Sequence, residues 1–198
     1  MKKGDTIIEV IFAISVFAMV AVTSIVLMNR GLATTQSSLE LTLARNEIDS
    51  QASALRFMHA ANSTDWTTVT SKAIIGEVPP LSLGTSETCQ TLLDKSKDNN
   101  FIISPRDLVI GDKNRIELAT VYPRIYYNHT DAETNIIDSN IGSWKSQGIW
   151  VIATKNSSDS GLEYYDFHIR ACWNEAGRSV PSTIGTIVRL YSPGGQGI

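Results

Sequence analysis

From Val10 to Met28 the chain carries no charged side chain. Only Ser15, Thr23 and Ser24 interrupt a run of Leu, Ile, Val, Phe, Met and Ala, and Arg30 ends it. Those 19 residues would rise about 28 Å as a helix, close to the hydrocarbon thickness of a bilayer. Small hydroxyl side chains can bond back to the preceding turn, so a membrane helix tolerates them. No proline occurs before Pro79, so no imide ring interrupts the helical ladder. Beyond Arg30 the apolar density falls but a helical period remains. Leu41, Ala44, Ile48, Ala52, Leu55 and Met58 recur at spacings of three and four, one apolar stripe on a helix. Glu40, Arg45, Glu47, Asp49 and Gln51 are assigned to the opposite side, with Arg45 and Asp49 at an i,i+4 spacing. The helix is expected to fade between His59 and Asn62, where Asn62-Ser63-Thr64-Asp65 offers turn and cap residues. The alternative is two helices broken at Asn29-Arg30-Gly31.

From about Thr64 onward the pattern changes to short strands separated by turns. Expected strands are 101–103, 108–110, 115–122, 124–127, 148–154, 164–173 and 183–191. In the clearest of them Tyr165, Phe167, Ile169 and Ala171 alternate with Asp166, His168, Arg170 and Cys172, and the polar phase is read as outward. Gly177 and Pro181 mark a long hairpin loop before the last strand, and Glu87 to Lys95 is read as a short helix. The expected fold class is therefore α+β. A long N-terminal helix, half transmembrane and half amphipathic, packs on an antiparallel sheet. The expected organisation is a short basic start over 1–4, a transmembrane helix over 5–29, its amphipathic continuation over 30–60, and a β-rich unit over 61–198.

Three ordinary readings compete for the apolar segment. A cleaved signal peptide has an apolar region of about 7–15 residues followed by a small-x-small site. Here the run is longer, and its best site, Gly31-Leu32-Ala33, lies past Arg30. A buried core helix rarely holds 19 uncharged residues. A single-pass anchor with Lys2 and Lys3 on the cytoplasmic side fits better. None of the three explains Glu9. An ionisable group on a membrane helix costs up to about 3 kcal/mol near the centre and less near the interface, and it points to a function and a partner. A cut after Gly4 would supply that partner, a new α-amino group on Asp5, about one helical turn from Glu9. Within one chain or between neighbours the pair would neutralise both charges and act mainly as a register device.

Lys2-Lys3-Gly4, a cut before Asp5, Glu9 as the fifth residue of the mature chain and the run from Val10 to Met28 together resemble a type IV prepilin. The same pattern occurs in pseudopilins of type II secretion and in competence pseudopili. The resemblance covers the first 30 residues tightly. It implies cleavage by a prepilin peptidase at Gly4/Asp5, amino-terminal methylation, and polymerisation with other pilin subunits through the apolar helix, with Glu9 setting register. It further implies an assembly platform with its ATPase, a single-pass stage in the cytoplasmic membrane with the N-terminus inside, and a head facing outward. Two positions depart from the usual pattern. The mature chain would begin with Asp5 rather than Phe or Met, which puts an acidic side chain beside the new amine, and the helix has no early proline.

Composition adds limits. With 17 basic against 20 acidic side chains and a net charge of −3, no basic stripe indicates nucleic acid. Removing Lys2 and Lys3 with the leader takes the side-chain charge to −5 (−3 − 2). His59, His129 and His168 are scattered, with no Ser-His-Asp or His/Cys ligand spacing around them. Asp107, Asp112, Asp131, Asp138 and Asp159 are read as loop carboxylates, because Lys113 and Arg115 stand where a calcium loop wants oxygen. No enzyme activity, cofactor or metal is expected. Cys89 and Cys172 are the only thiols. In an oxidising compartment they could close a loop of about 83 residues worth on the order of 4 kcal/mol, and pilin heads often carry such a bridge; two buried free thiols are the alternative. Asn62, Asn128 and Asn156 each begin an Asn-x-Ser/Thr triplet, a pattern common by chance in so polar a chain. Tyr and Trp gather in the C-terminal half, mostly as core, with a few suited to an interface.

Overall fold

The computed structural model describes residues 5–61, 64–78, 88–95, 97–127, 144–157, 162–175, 178 and 180–192. The chain divides into two compact units, Met1–Leu39 and Glu40–Ile198. Helix α1 runs from Asp5 to Ala61 without a break. Gly31 does not interrupt it. A Cβ there would meet nothing within 4 Å, so this glycine marks no close approach and the two-helix alternative is set aside.

A second helix, α2 (Thr64–Ser71), occupies residues that the strand-and-turn reading assigned to the start of the β-rich region. Its hydroxyls bond back to carbonyls three or four residues earlier, as from Thr67 and Thr68 to Thr64 and from Thr70 to Trp66. Threonine is a poor helix former. What holds α2 is the burial of Trp66 and Val69. Trp66 stands edge-on to His59 at 4.8 Å and to Tyr165 at 5.8 Å between ring centroids. Helix α3 (Cys89–Asp94) is closed at its start by a reciprocal cap, with Thr91 N–H on Thr88 Oγ1 and Thr88 N–H on Thr91 Oγ1.

Among the described residues eight strands follow: β1 (Ile102–Ile103), β2 (Ile110–Gly111), β3 (Ile116–Glu117), β4 (Arg124–Tyr127), β5 (Trp144–Gln147), β6 (Ile149–Ser157), β7 (Glu163–Trp173) and β8 (Ser182–Tyr191). They form a β1-β2 pair, a sheet β3-β5-β4 and a sheet β6-β7-β8. The larger sheet is antiparallel throughout, with Ile152 opposite His168 and His168 opposite Ile187. The expected stretch 115–122 contracts to two residues of strand after a 3-10 turn, and β3 pairs with β5 in parallel, the one parallel ladder between these strands. Single bridges at Ile74 and Phe101 occupy the free side of β6.

In β7 the odd-numbered face carries Tyr165, Phe167, Ile169 and Ala171 into the core with Ile48, Ala52, Leu55 and Met58 of α1. The even-numbered face is not outward, as the alternation suggested. Asp166, Arg170 and Cys172 are buried and His168 is half-buried. Cys172 is bonded to Cys89, the first residue of α3, so this face is partly covered as well. Asp166 is neutralised by Arg189, which donates to both its carboxylate oxygens at 2.7 and 2.8 Å.

Gly148 makes the corner between β5 and β6. It has φ +71°, its N–H donates to the Glu117 carbonyl, and its carbonyl accepts from Cys172 N–H. A Cβ would lie 2.6 Å from both the Ala119 Cβ and the Cys172 carbonyl. Gly148→Ala therefore combines a left-handed backbone with overpacking, and is expected to lower stability by about 2–4 kcal/mol. Chemical denaturation of the full chain in detergent checks this.

Candidate functional site

The first unit is helical, and its large apolar side chains from Ile7 to Leu39 are exposed. Ile8, Phe12, Phe17, Met19, Ile25, Leu27 and Met28 are all more than half exposed. Ordinary folding buries such residues, at about 1.5–3 kcal/mol each. A continuous apolar exposure of this length calls for lipid or another apolar helix around it. Among the described residues this helix is the one segment long and apolar enough to cross a membrane, with a best-window mean hydropathy of 2.7. The three hydroxyls within the uncharged run are satisfied by the helix itself. Ser15 donates to the Ile11 carbonyl, Thr23 to Met19 and Val20, and Ser24 to Val20. Lipid can therefore meet this helix without stranding a donor.

Glu9 lies on this helix among exposed Ile7, Ile8, Val10 and Ile11. It is the only charged residue between Asp5 and Arg30. Asp5 is the first helical residue, four positions before Glu9 and so one turn away. Gly4 and the Asp5 side chain lie outside the described residues. The structure thus places Asp5 and Glu9 on successive turns of one helix and leaves Gly4 undescribed.

In the second unit, two polar side chains of α1 that were assigned to its outer side face inward. Glu40, 4% exposed, accepts from Trp173 Nε1 at 3.1 Å. Gln51 is fully buried and serves the backbone of β1. Its Nε2 donates to the Ile103 carbonyl at 2.6 Å and its Oε1 accepts from Ile103 N–H at 3.0 Å. Arg45 and Asp49 do face outward. Glu47 is half-buried, and burial raises its pKa, partly opposed by a hydrogen bond from the Ile125 backbone. The signal for Gln51 was in the spacing, since it stands seven residues after Ala44 and seven before Met58, in the middle of the apolar stripe. Its polarity masked its phase.

Cys89 and Cys172 are joined in a disulfide with their Cα atoms 5.5 Å apart. They tie α3 to β7 and lie nowhere near Glu9 in sequence. His59 meets the Tyr191 carbonyl at 2.7 Å through Nε2. His168 has its pKa lowered by burial and by Arg170, with Asp166 opposing. Asp112 accepts from the Asn114 backbone and side chain, which makes it the cap of a 3-10 turn. His129, Asp131, Asp138 and Asp159 fall outside the described residues, as do Asn62 and Asn128. Among the described residues, no three His, Cys, Asp or Glu side chains gather as a metal site.

No protein-family model, curated protein or solved structure matches the chain. The described residues combine an exposed apolar helix, the Glu9 carboxylate one turn after Asp5, and a disulfide-bonded α+β unit.

Proposed function

We propose that the chain is a structural subunit of a type IV pilus-like filament, cut after Gly4 by a prepilin peptidase and assembled through the apolar part of α1. One observation carries this reading: Glu9 is the one charged residue between Asp5 and Arg30, on an exposed apolar stretch of helix, at the fifth position after a Lys-Lys-Gly leader. A plain anchor gains nothing from a carboxylate there. In the proposed cycle Lys2 and Lys3 hold the precursor's N-terminus on the cytoplasmic side. Cleavage then frees an amine on Asp5, and the helix passes laterally from lipid into a bundle of like helices, driven by an assembly platform and its ATPase. Glu9 pairs with the amine of its own or a neighbouring chain. An unpaired charge in an apolar bundle is strongly penalised, so the pair fixes axial register more than it adds stability. The second unit faces the outside, where it serves adhesion, uptake or secretion. The Cys89–Cys172 bond supports that side, because disulfides persist in oxidising compartments.

Mass spectrometry of the mature protein is expected to give an N-terminus at Asp5. A chain that begins at Met1, or after Ala33, overturns the reading. Glu9→Ala is expected to leave stability within about 0.5 kcal/mol of wild type, since Glu9 is exposed. Its recovery in sheared filaments should fall about tenfold or more. Normal incorporation of that variant removes the register role. A wild-type chain that is cut but never sediments as filaments would instead be a membrane-anchored binding module.

A further inference from the structure

Beside α3 lies a cavity of about 140 Å³ whose walls are of two kinds. Leu93, Ile116 and Leu118 supply apolar surface, and Asp94, Asn100 and Glu117 supply oxygen. Asn100 is 3% exposed, and its Nδ2 donates to the Leu93 carbonyl at 3.1 Å. That bond fixes which way the amide points. It leaves Oδ1 as a buried acceptor with no donor, a condition that costs about 1–3 kcal/mol. Gln90, also on the wall, has its Nε2 on Asp94 Oδ2, so its remaining side-chain atom is an acceptor too. The one cation on the wall, Lys113, is paired with Asp98, and Glu117 takes Lys145 and Tyr126 with acceptor capacity left over.

The lining selects a ligand class. An anion would meet acceptors. Calcium wants six to eight oxygens, and here three aliphatic side chains and an ammonium share the wall. A hydrogen-bond donor carried on a short aliphatic stem matches both kinds of surface. We propose that this cavity binds a primary alkylammonium group, from a lysine side chain or a free alkylamine. Its methylenes lie on Leu93, Ile116 and Leu118, and its N–H groups reach Asn100 Oδ1 and the Asp94 carboxylate. The site belongs to the second unit alone and does not depend on filament assembly.

The test is a methyl-NMR titration of the full chain, disulfide intact, in detergent micelles at neutral pH. The probes are n-butylammonium chloride and, separately, N-acetyl-lysine methylamide, with sodium butyrate as the control for the stem. Expected are saturable shifts at the Leu93, Ile116 and Leu118 methyls with a Kd of about 1 mM, the strength of one small ligand group. Asp94→Asn should weaken binding about threefold, as for an exposed charge pair. Asn100→Leu should abolish saturation. If that variant does not fold, Asp94→Asn and the butyrate control decide. Shifts from both amines support a lysine of another chain, and shifts from butylammonium alone support a free amine. Butyrate shifts equal to those of butylammonium, or no saturation by either amine at about 50 mM, overturn the proposal.

Discussion

Replacing Cys89 and Cys172 together by alanine is expected to lower the stability of the second unit by about 4 kcal/mol. The bond spans 83 residues of sequence, so in the chain-entropy account it removes a large share of the unfolded chain's freedom. It also acts where few other contacts do. Helix α3 has six residues and buries only Cys89 and Leu92, too little to keep so short a helix docked. Alanine is preferred to serine because Cys172 is fully buried, and a hydroxyl there would add an unpaired polar group. For a unit of this size the loss amounts to about 8–16 °C in Tm. Guanidinium unfolding of the full chain in detergent, with and without a reductant, checks the mechanism. The variant should match the reduced wild type and show a larger m-value, because its unfolded state is more expanded. A loss below about 1 kcal/mol would mean that the native fold is held almost as well without the bond.

The variant has a second use. The large apolar side chains of α1 between Ile7 and Met28 are exposed and owe no burial to this bond. Loss of the disulfide should therefore leave membrane insertion unchanged while the second unit weakens. Filament yield, under the proposed function, would then fall through instability and not through failed packing of the helix. That outcome separates this variant from Glu9→Ala, whose effect is expected with the second unit fully stable.

How much of this could be read in advance follows the strength of each pattern. The long helix was legible because 19 uncharged residues and then a three-four stripe leave few alternatives. β7 and β8 were legible because alternation over ten residues is hard to imitate. The face of β7 was not. Asp166, His168 and Arg170 have the composition of a solvated surface, yet pairing with Arg189 lets Asp166 sit at 8% exposure. A local pattern cannot report that a partner 23 residues away satisfies a charge. α2 was missed because Thr-Asp-Trp-Thr-Thr-Val-Thr-Ser has poor helix propensity, and tertiary burial of Trp66 overrode it. β5, Trp144–Gln147, was missed because four residues carry too short a period to detect. At the candidate site, Glu9 stood out by contrast with its neighbours, whereas Glu40 and Gln51 had to be seen against the sheet.

Gln51 gives the second large effect. Ser104 N–H donates to the Val109 carbonyl, which makes that a hydrogen-bonded position of the β1-β2 ladder. Ile103, one step on and opposite Ile110, then turns its own N–H and C=O away from β2. Gln51 meets both, as a neighbouring strand would. Gln51→Leu keeps most of the volume but strands a buried donor and a buried acceptor, an expected loss of about 3 kcal/mol. Gln51→Glu is the sharper test. When protonated, the introduced carboxyl could still donate to the Ile103 carbonyl and accept from its N–H. When ionised, it only accepts and leaves a charge in the core. Burial raises the folded-state pKa of such a group above its unfolded value. The variant's stability should therefore approach wild type at low pH, below the unfolded value of about 4.3. It should be lost as pH rises through the folded value. The measurement is the difference in unfolding free energy between Gln51→Glu and wild type from about pH 4 to pH 8. A difference independent of pH would mean that the carboxylate escapes to water, and that Gln51 does not hold β1 on the helix.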